Sequence, residues 1–443
     1  MSYQTVHTPE TLVKNVKMLP PGHFLQVKNE RVNILPFWES ASAIQNTELI
    51  TDRAKATKEI RLKLTQAVER QMVCDVPFGA FLSGGIDSSI LVGLMREVTD
   101  GAIDTFNISF SEGEFDESPY ARQVADKFKT RHHEIKLTPQ YFLDKLPEAL
   151  ASMDHPSCDG VNTYVVAGAT KNAGVTMALS GLGGDELFGG YSIFKQSQKL
   201  QRLSFLNYVP RPLRQMMGSV MRNVTPSVSS HKMASVLTLR RIDANAAYPF
   251  FREILTTKQI SNLLTTKYLP KNAVVQQVRD FTQRDDFRRL PLMSQISINE
   301  MQSYMQNVLL RDSDQMSMAH ALELRVPFLD VDVVTLALRI SDDLKMGEGS
   351  KPLLVDSVRD LLPTDVYNRP KMGFVFPFDG WMRNDLKRFC AENLKNLSDM
   401  PQFNGDTMLQ LWSDFLHKKN GVTWSRLWLL VALAHWLEEN GIR

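Results

Sequence analysis

A chain of 443 residues, 43% apolar and 23% charged, is long enough for two or three globular domains and a sizeable core. Its net charge of +2 leaves no electrostatic footprint for nucleic acid, and Cys74, Cys158 and Cys390 exclude a disulfide framework and fit buried thiols in a reducing compartment. The opening MSYQTVHTPETLVKNVK has no apolar leader, and the most apolar segment, 427–437, includes His435 and falls short of the roughly twenty residues a bilayer span needs, so a cytoplasmic chain with no membrane partner is expected.

In chain order, residues 1–45 differ from the rest. Leu19-Pro20-Pro21-Gly22 is a turn signal followed by two short extended runs, FLQV and RVNIL, and then Phe37-Trp38, a β ribbon without a core of its own. Residues 46–195 alternate between strand and helix. A helix is predicted over 53–71, and a short apolar run, VPFGAFL, over 76–82 reads as a buried parallel strand. Ile90, Leu91, Leu94, Met95 and Val98 then share one helical face. Residues 103–110 read as a strand with Phe106, Ile108 and Phe110 on one side. Pro119 to Phe128 reads as a helix with proline in its first turn, and HHEIKL (132–137) and VTMALS (175–180) as further strands. This alternation predicts an α/β fold with a doubly wound parallel sheet and ligands at the strand C-termini. Over 196–443 helical patterns dominate, broken by Pro210, Pro212 and Pro226, and form a large helical region that completes a substrate pocket.

Two glycine-rich loops carry the chemistry. FLSGGIDSS places Gly84 and Gly85 where a strand meets a helix, so backbone amides can approach an anion unobstructed, with Ser88 and Ser89 in the first helical turn. Asp87 beside an anion makes sense if it holds Mg²⁺, which takes one or two carboxylates and completes its shell with phosphate oxygens. The plain alternative is a glycine turn with a Ser/Asp helix cap. The loop has no Gly-Lys-Ser/Thr and is not a Walker A loop. LSGLGGDELFGGY (179–191) follows a second strand and again sets carboxylates, Asp185 and Glu186, among glycines.

The first loop resembles that of the N-type ATP pyrophosphatases, which cleave ATP to AMP and pyrophosphate. With the second loop, MSMAHALELRVPFLD (316–330) and YNRPKMGFVFPFDGW (367–381), the chain from about residue 8 onward resembles the synthetase domain of glutamine-hydrolysing asparagine synthetases. The resemblance implies an adenine nucleotide alpha hydrolase-like fold and an AMP-forming carbon–nitrogen ligase, with ATP and Mg²⁺ as cofactors. It implies that Ser83, Gly84, Gly85, Asp87, Ser88 and Ser89 hold pyrophosphate. Leu82 and Ile108 would touch the nucleoside, Ser180 and Gly181 would lie beside AMP, and Asp87 and Asp185 would carry Mg²⁺. Lys371 would approach the phosphates; in its Pro-Lys-Met-Gly-Phe turn it is a fixed cation able to offset charge on phosphate and acyl oxygens, the alternative being a solvated surface lysine. Glu323 and Arg325 read instead as a structural network of buried ion pairs. His132, His133 and His155 lack a third metal ligand at suitable spacing.

The chain departs from that family at two places. Glutamine-hydrolysing members carry a nucleophilic cysteine after the initiator methionine; here position 2 is Ser2, no cysteine precedes Cys74, and Thr8 to Trp38 resembles only the tail of the glutaminase domain. Glutamine hydrolysis by this polypeptide is therefore not expected, and nitrogen is expected from ammonia, an amine or a separate glutaminase subunit. The second departure is Leu182, where the family has an acidic residue that faces the acyl-adenylate; around Asn307 the acidic pattern also differs, with Asp312 and Asp314 next downstream. The expectation is a ligase that adenylates a small-molecule carboxylate and passes it to ammonia or an amine. The alternatives are an amide-forming cyclase or amidotransferase acting on a sugar acid or peptide, a tRNA-modifying enzyme of the same ATP class, and a non-catalytic ATP-binding relative.

Overall fold

The computed structural model describes residues 1–44, 47–110, 116–224, 228–266, 272–372, 376–419 and 421–442. Near the N-terminus, Asn29 and Glu30 take left-handed backbone angles and fold His23–Lys28 (β1) antiparallel onto Arg31–Pro36 (β2). Every residue from Phe24 to Pro36 is exposed, so the expected ribbon does lack a core.

Arg53–Gln71 (α1) starts at Asp52, whose carboxylate accepts from the Lys55 amide at 2.6 Å. Its Ala56, Ile60, Leu64, Ala67 and Val68 form one buried stripe. There follow Phe78–Phe81 (β3), Ile86–Val98 (α2), Asp104–Phe110 (β4), Ser118–Phe128 (α3), Arg131–Leu137 (β5), Pro139–Ala151 (α4), Val161–Asn172 (α5) and Met177–Leu179 (β6). The expected strand–helix alternation thus appears, with boundaries within a residue or two of those read from periodicity. The strands form a parallel sheet in the order β5-β4-β3-β6, extended by a fifth strand, Glu323–Arg325 (β7).

That fifth strand corrects one expectation. Glu323 and Arg325 do pair, at 2.8 Å, but the Glu323 side chain is 58% exposed, so this is not a buried network. Arg325 instead clamps the sheet edge to the end of α1 by donating to the carbonyls of Gln71 and Val73 at 2.7 and 2.9 Å. Three residues are too few for periodicity to distinguish a strand from a loop.

The sheet is covered on both faces. Phe106, Ile108 and Phe110 face one core, with Phe142, Leu146, Val165 and the C-terminal helix Trp424–Glu439, whose apolar run is buried as read from sequence. Ala80, Leu82, Met177 and Leu179 face the other, with α1, α2 and α3. The opposite face of β4 is also closed: Thr105 and Asn107 are buried, and Asn107 Nδ2 donates to the Leu82 carbonyl at 2.9 Å. Strand order reverses between β3 and β6, which opens a crevice at their C-terminal ends.

Gly184–Phe188 (α6), Ser192–Arg202 (α7), Arg211–Val224 (α8) and Val228–Leu237 (α9) begin the helical part. Pro210 ends the chain leading into α8, whereas Pro226 lies outside the described residues. Further on, Leu292–Glu300, Met301–Leu310 and Arg311–Met318 run on as one helix whose middle segment is π-wound, a geometry often found at functional sites. No described helix is long and apolar enough to cross a membrane.

Candidate active site

Both glycine-rich loops leave the sheet at the reversal point. The chain exits β3 into Ser83-Gly84-Gly85 and enters α2; it exits β6 into Ser180-Gly181 and enters α6. Gly84 has φ +74°, and a Cβ there would lie 2.6 Å from the Ala121 amide nitrogen, so only glycine lets α3 close over the loop. At Gly184 a Cβ would lie 2.4 Å from Asp87 Oδ1: the second loop is bare where the first loop's carboxylate meets it.

The two aspartates are held by lysines that arrive from far along the chain. Lys351 Nζ lies 2.5 Å from Asp87 Oδ2 and 2.7 Å from Asp185 Oδ1, and Lys371 Nζ lies 2.5 Å from Asp185 Oδ2. Lys351 is only 4% exposed and has left-handed backbone angles, φ 51° and ψ 52°, at the start of the helix Pro352–Ser357. A non-glycine residue in that region carries strain that the surrounding packing must hold. Burial pushes the Asp185 carboxyl up, but Lys351 and Lys371 outweigh it and hold it at about 2. Burial raises the Asp87 carboxyl, and Lys351 offsets only part of that rise. Asp87 Oδ1 is buried without a hydrogen-bond partner.

Asp87 and Asp185 thus resemble half of a cation cage. Among the described residues no three His, Cys, Asp or Glu side chains converge as a metal site. Two carboxylates, one with an orphaned oxygen, fit a hard cation whose remaining ligands come from phosphate and water, as Mg²⁺ prefers.

A cavity of about 420 Å³ runs from these loops. Of the residues singled out in the sequence, Leu82, Ser83, Gly85, Asp87, Ser88, Ile108, Ser180, Gly181, Asp185 and Lys371 line it. Gly84 does not, although its carbonyl accepts from Arg369 at 3.0 Å. Ser89 is fully buried and turned away: its hydroxyl donates to the Gly85 carbonyl at 2.7 Å, so it closes the helix turn and offers no hydroxyl to a ligand. The expectation that it grips phosphate therefore fails on side-chain direction. Lys371 is partly exposed and sits 4.4 Å from the Tyr191 ring centroid; Gly373 and Phe374, which complete its turn, lie outside the described residues. Leu182 faces the cavity, and Asn307 does not: it is buried and accepts from the Thr8 amide at 2.8 Å. Asp312 lines the cavity, while Asp314 is exposed.

Several lining residues are given no ligand role by the sequence. Arg369 bonds Glu117 at 2.5 Å and stacks 4.1 Å from the Tyr120 ring centroid, closing the cavity over the first loop. The cavity also has further carboxylates in its lining. Glu186 accepts from the Tyr191 hydroxyl at 2.7 Å, and burial lifts its carboxyl to about 7. Asp312 accepts from Ser157 at 2.5 Å, and Tyr304 donates to Asp159 at 3.4 Å; burial raises both carboxyls. Arg252 lies over the rings of Tyr191 and Tyr304 but is paired with buried Glu300. For Lys351, the Gly347-Glu348-Gly349-Ser350-Lys351-Pro352 turn was a usable signal; Glu186 and Arg369 lie inside motifs already quoted, whereas Asp159 and Tyr304 stand in no motif.

A sequence model of the asparagine synthase family matches residues 59–438. The chain belongs to the asparagine synthase family. Its general class is that of an ATP-dependent amide-forming ligase. It is 29% identical over 98% of its length to a glutamine-hydrolyzing asparagine synthetase 1 of Bacillus subtilis (strain 168), of which it covers 67%. It is 25% identical over 82% of its length to asparagine synthetase 3 of the same organism, covering 55% of that protein. A more distant relative is amidase chry2 of Gibberella zeae, 22% identical over 87% of this chain and 63% of its own. The chain thus spans roughly half to two thirds of the length of these relatives.

Proposed function

We propose that this asparagine synthase family chain adenylates a substrate carboxylate at the β3–β6 crevice and transfers the acyl group to ammonia or an amine. The reading rests above all on the meeting of two glycine loops, each with an aspartate, at two lysines. The carboxylate attacks the α-phosphorus of ATP between Ser180-Gly181 and Lys371. Pyrophosphate leaves toward Ser83-Gly84-Gly85 and Ser88, where backbone amides and Lys351 offset its charge. Mg²⁺ bound by Asp87 and Asp185 would neutralise charge on the departing phosphates. The amine nitrogen then attacks the acyl carbon, the bond from that carbon to the AMP oxygen breaks, AMP leaves while Lys371 balances the charge on its phosphate, and the nitrogen's surplus proton passes to solvent. Asp87→Ala is expected to abolish carboxylate-dependent pyrophosphate release; undiminished release sinks the assignment.

The acyl end of the cavity argues against aspartate as the acceptor. Leu182 cannot accept a proton. The cations lining the cavity among the described residues are Lys351, Arg369 and Lys371, all already paired with carboxylates. A second substrate carboxylate would have to be buried near Asp159, Glu186 and Asp312 without an unpaired cation to receive it, a costly burial of charge. An acid whose remaining groups are hydroxyls or amines, such as a sugar acid or a peptide, suits that lining. Robust asparagine formation from aspartate, ATP and ammonium by the purified protein is the result that refutes this choice of acceptor.

A further inference from the structure

The helix α8 is turned inside out. A surface helix ordinarily buries its apolar stripe and shows its polar face. Between Arg211 and Val220, α8 buries only Arg214 and Gly218. Arg214 donates to the carbonyls of Val209 and Arg240 at 3.2 and 3.1 Å, and Gly218 packs on Ala234 of α9 closely enough that a Cβ would lie 3.1 Å from its carbonyl oxygen. Leu213, Met216, Met217, Val220, Met221 and Val224 stand exposed, between 37% and 75%. At 3.6 residues per turn they fill one arc of about 140°. The 3₁₀ turn Leu203–Tyr208 that precedes the helix exposes Phe205 at 56% and Tyr208 at 91%.

Charge shows what suits this face. Between Leu187 and Ile242 the sequence has nine Lys and Arg and no Asp or Glu, whereas the rest of the chain holds more acid than base. Arg211, which donates to the Thr238 carbonyl at 3.0 Å, and Arg240 are both exposed beside the start of α8.

We propose that the α8 face, with Phe205 and Tyr208, lies on the surface of a bilayer that carries anionic lipid. An exposed apolar arc with aromatic residues at one end, in a segment that carries Lys and Arg and no acid, is the pattern of a helix lying in the interface plane, with apolar side chains at the acyl boundary and cations toward the headgroups. Each Lys or Arg near such a surface contributes about 1 kcal/mol, so a few of them add to the apolar burial. Since no described helix can cross a membrane, the contact is peripheral and reversible. A helix of another protein or a second copy of this chain would cover the apolar arc equally well, but neither accounts for a segment that holds nine Lys and Arg, Arg211 and Arg240 exposed among them, and no acid.

The test is sedimentation of the full chain with vesicles of phosphatidylcholine alone and of phosphatidylcholine mixed with phosphatidylserine. Binding is expected to be at least about tenfold stronger with phosphatidylserine and to weaken as salt rises. The double variant Met216→Gln/Val220→Gln should lose that binding while keeping the native melting temperature and pyrophosphate release. If that variant misfolds, Tyr208→Ser, at the most exposed position, replaces it. Absence of vesicle binding overturns the proposal, and so does phosphatidylserine binding that survives the variants undiminished. A dimer that dissociates in the double variant without any vesicle binding would assign the face to a second copy instead.

Discussion

Replacing Lys351 by methionine, which keeps most of the volume and removes the charge, tests the electrostatic design of the site. The lysine lies within 2.7 Å of both Asp87 and Asp185 and is 4% exposed, so it is a buried cation shared by two nearly buried carboxylates. Removing one partner of such a cluster leaves an uncompensated buried charge, at a cost of about 3–5 kcal/mol. Lys371 retains only Asp185, so the uncompensated group is Asp87, already short of a partner at Oδ1. At the entropy of unfolding of a chain this long, that loss lowers the melting temperature by about 3–5 °C. Catalysis should suffer more, because the same cation would face the leaving pyrophosphate; loss of one preorganised charge-stabilising donor costs about 100-fold or more. The assays are thermal unfolding and carboxylate-dependent pyrophosphate release. Adding Asp87→Asn to Lys351→Met should restore most of the stability and none of the activity. A Lys351→Met protein that melts like the wild type, or a double variant whose losses simply add, would refute the reasoning.

Three further outcomes follow from other sites. Arg369→Ala strands Glu117, which is buried and loses its guanidinium partner, and frees the Gly84 carbonyl; a stability loss of about 2–4 kcal/mol with weaker ATP binding by calorimetry is expected. Gly184→Ala pushes a methyl to within 2.4 Å of Asp87 Oδ1 and should cut pyrophosphate release by at least about tenfold with little change in melting temperature. Lys345 is fully buried near Ser294 and Asp342, and burial lowers its ammonium to about 8. The folded protein therefore disfavours the charged form: below pH 8 both states are protonated and the full penalty stands, and stability is regained as pH rises from 8 toward the unfolded value. Lys345→Met should be more stable than the wild type at neutral pH by about 3 kcal/mol, with the advantage shrinking through that window in pH-dependent denaturant unfolding.

Local patterns in the sequence marked β3 to β6, the helices α1, α2 and α3 and the positions of both glycine loops, but not α4 or α5. Apolar spacing is local: the stripe in α1 and the alternation in β4 are written in neighbouring residues, and strand-to-glycine junctions mark where loops leave a sheet. The sequence also marked Asp87 and Asp185 as the carboxylates of those loops, while Leu182 was singled out by the family resemblance; all three line one cavity. Long-range packing decided four other things. It brought Lys351 to Asp87 across 264 residues, an encounter no local pattern encodes. It turned Ser89 inward and Ser88 outward, since one residue's rotation about a helix axis relative to a cavity depends on how that helix packs. It added the three-residue strand β7 at the sheet edge, too short to announce itself, and gathered Asp159, Glu186 and Asp312 around one cavity. Charge balance within a cavity is a sum over residues distant in the chain, and it exists only once the chain has folded.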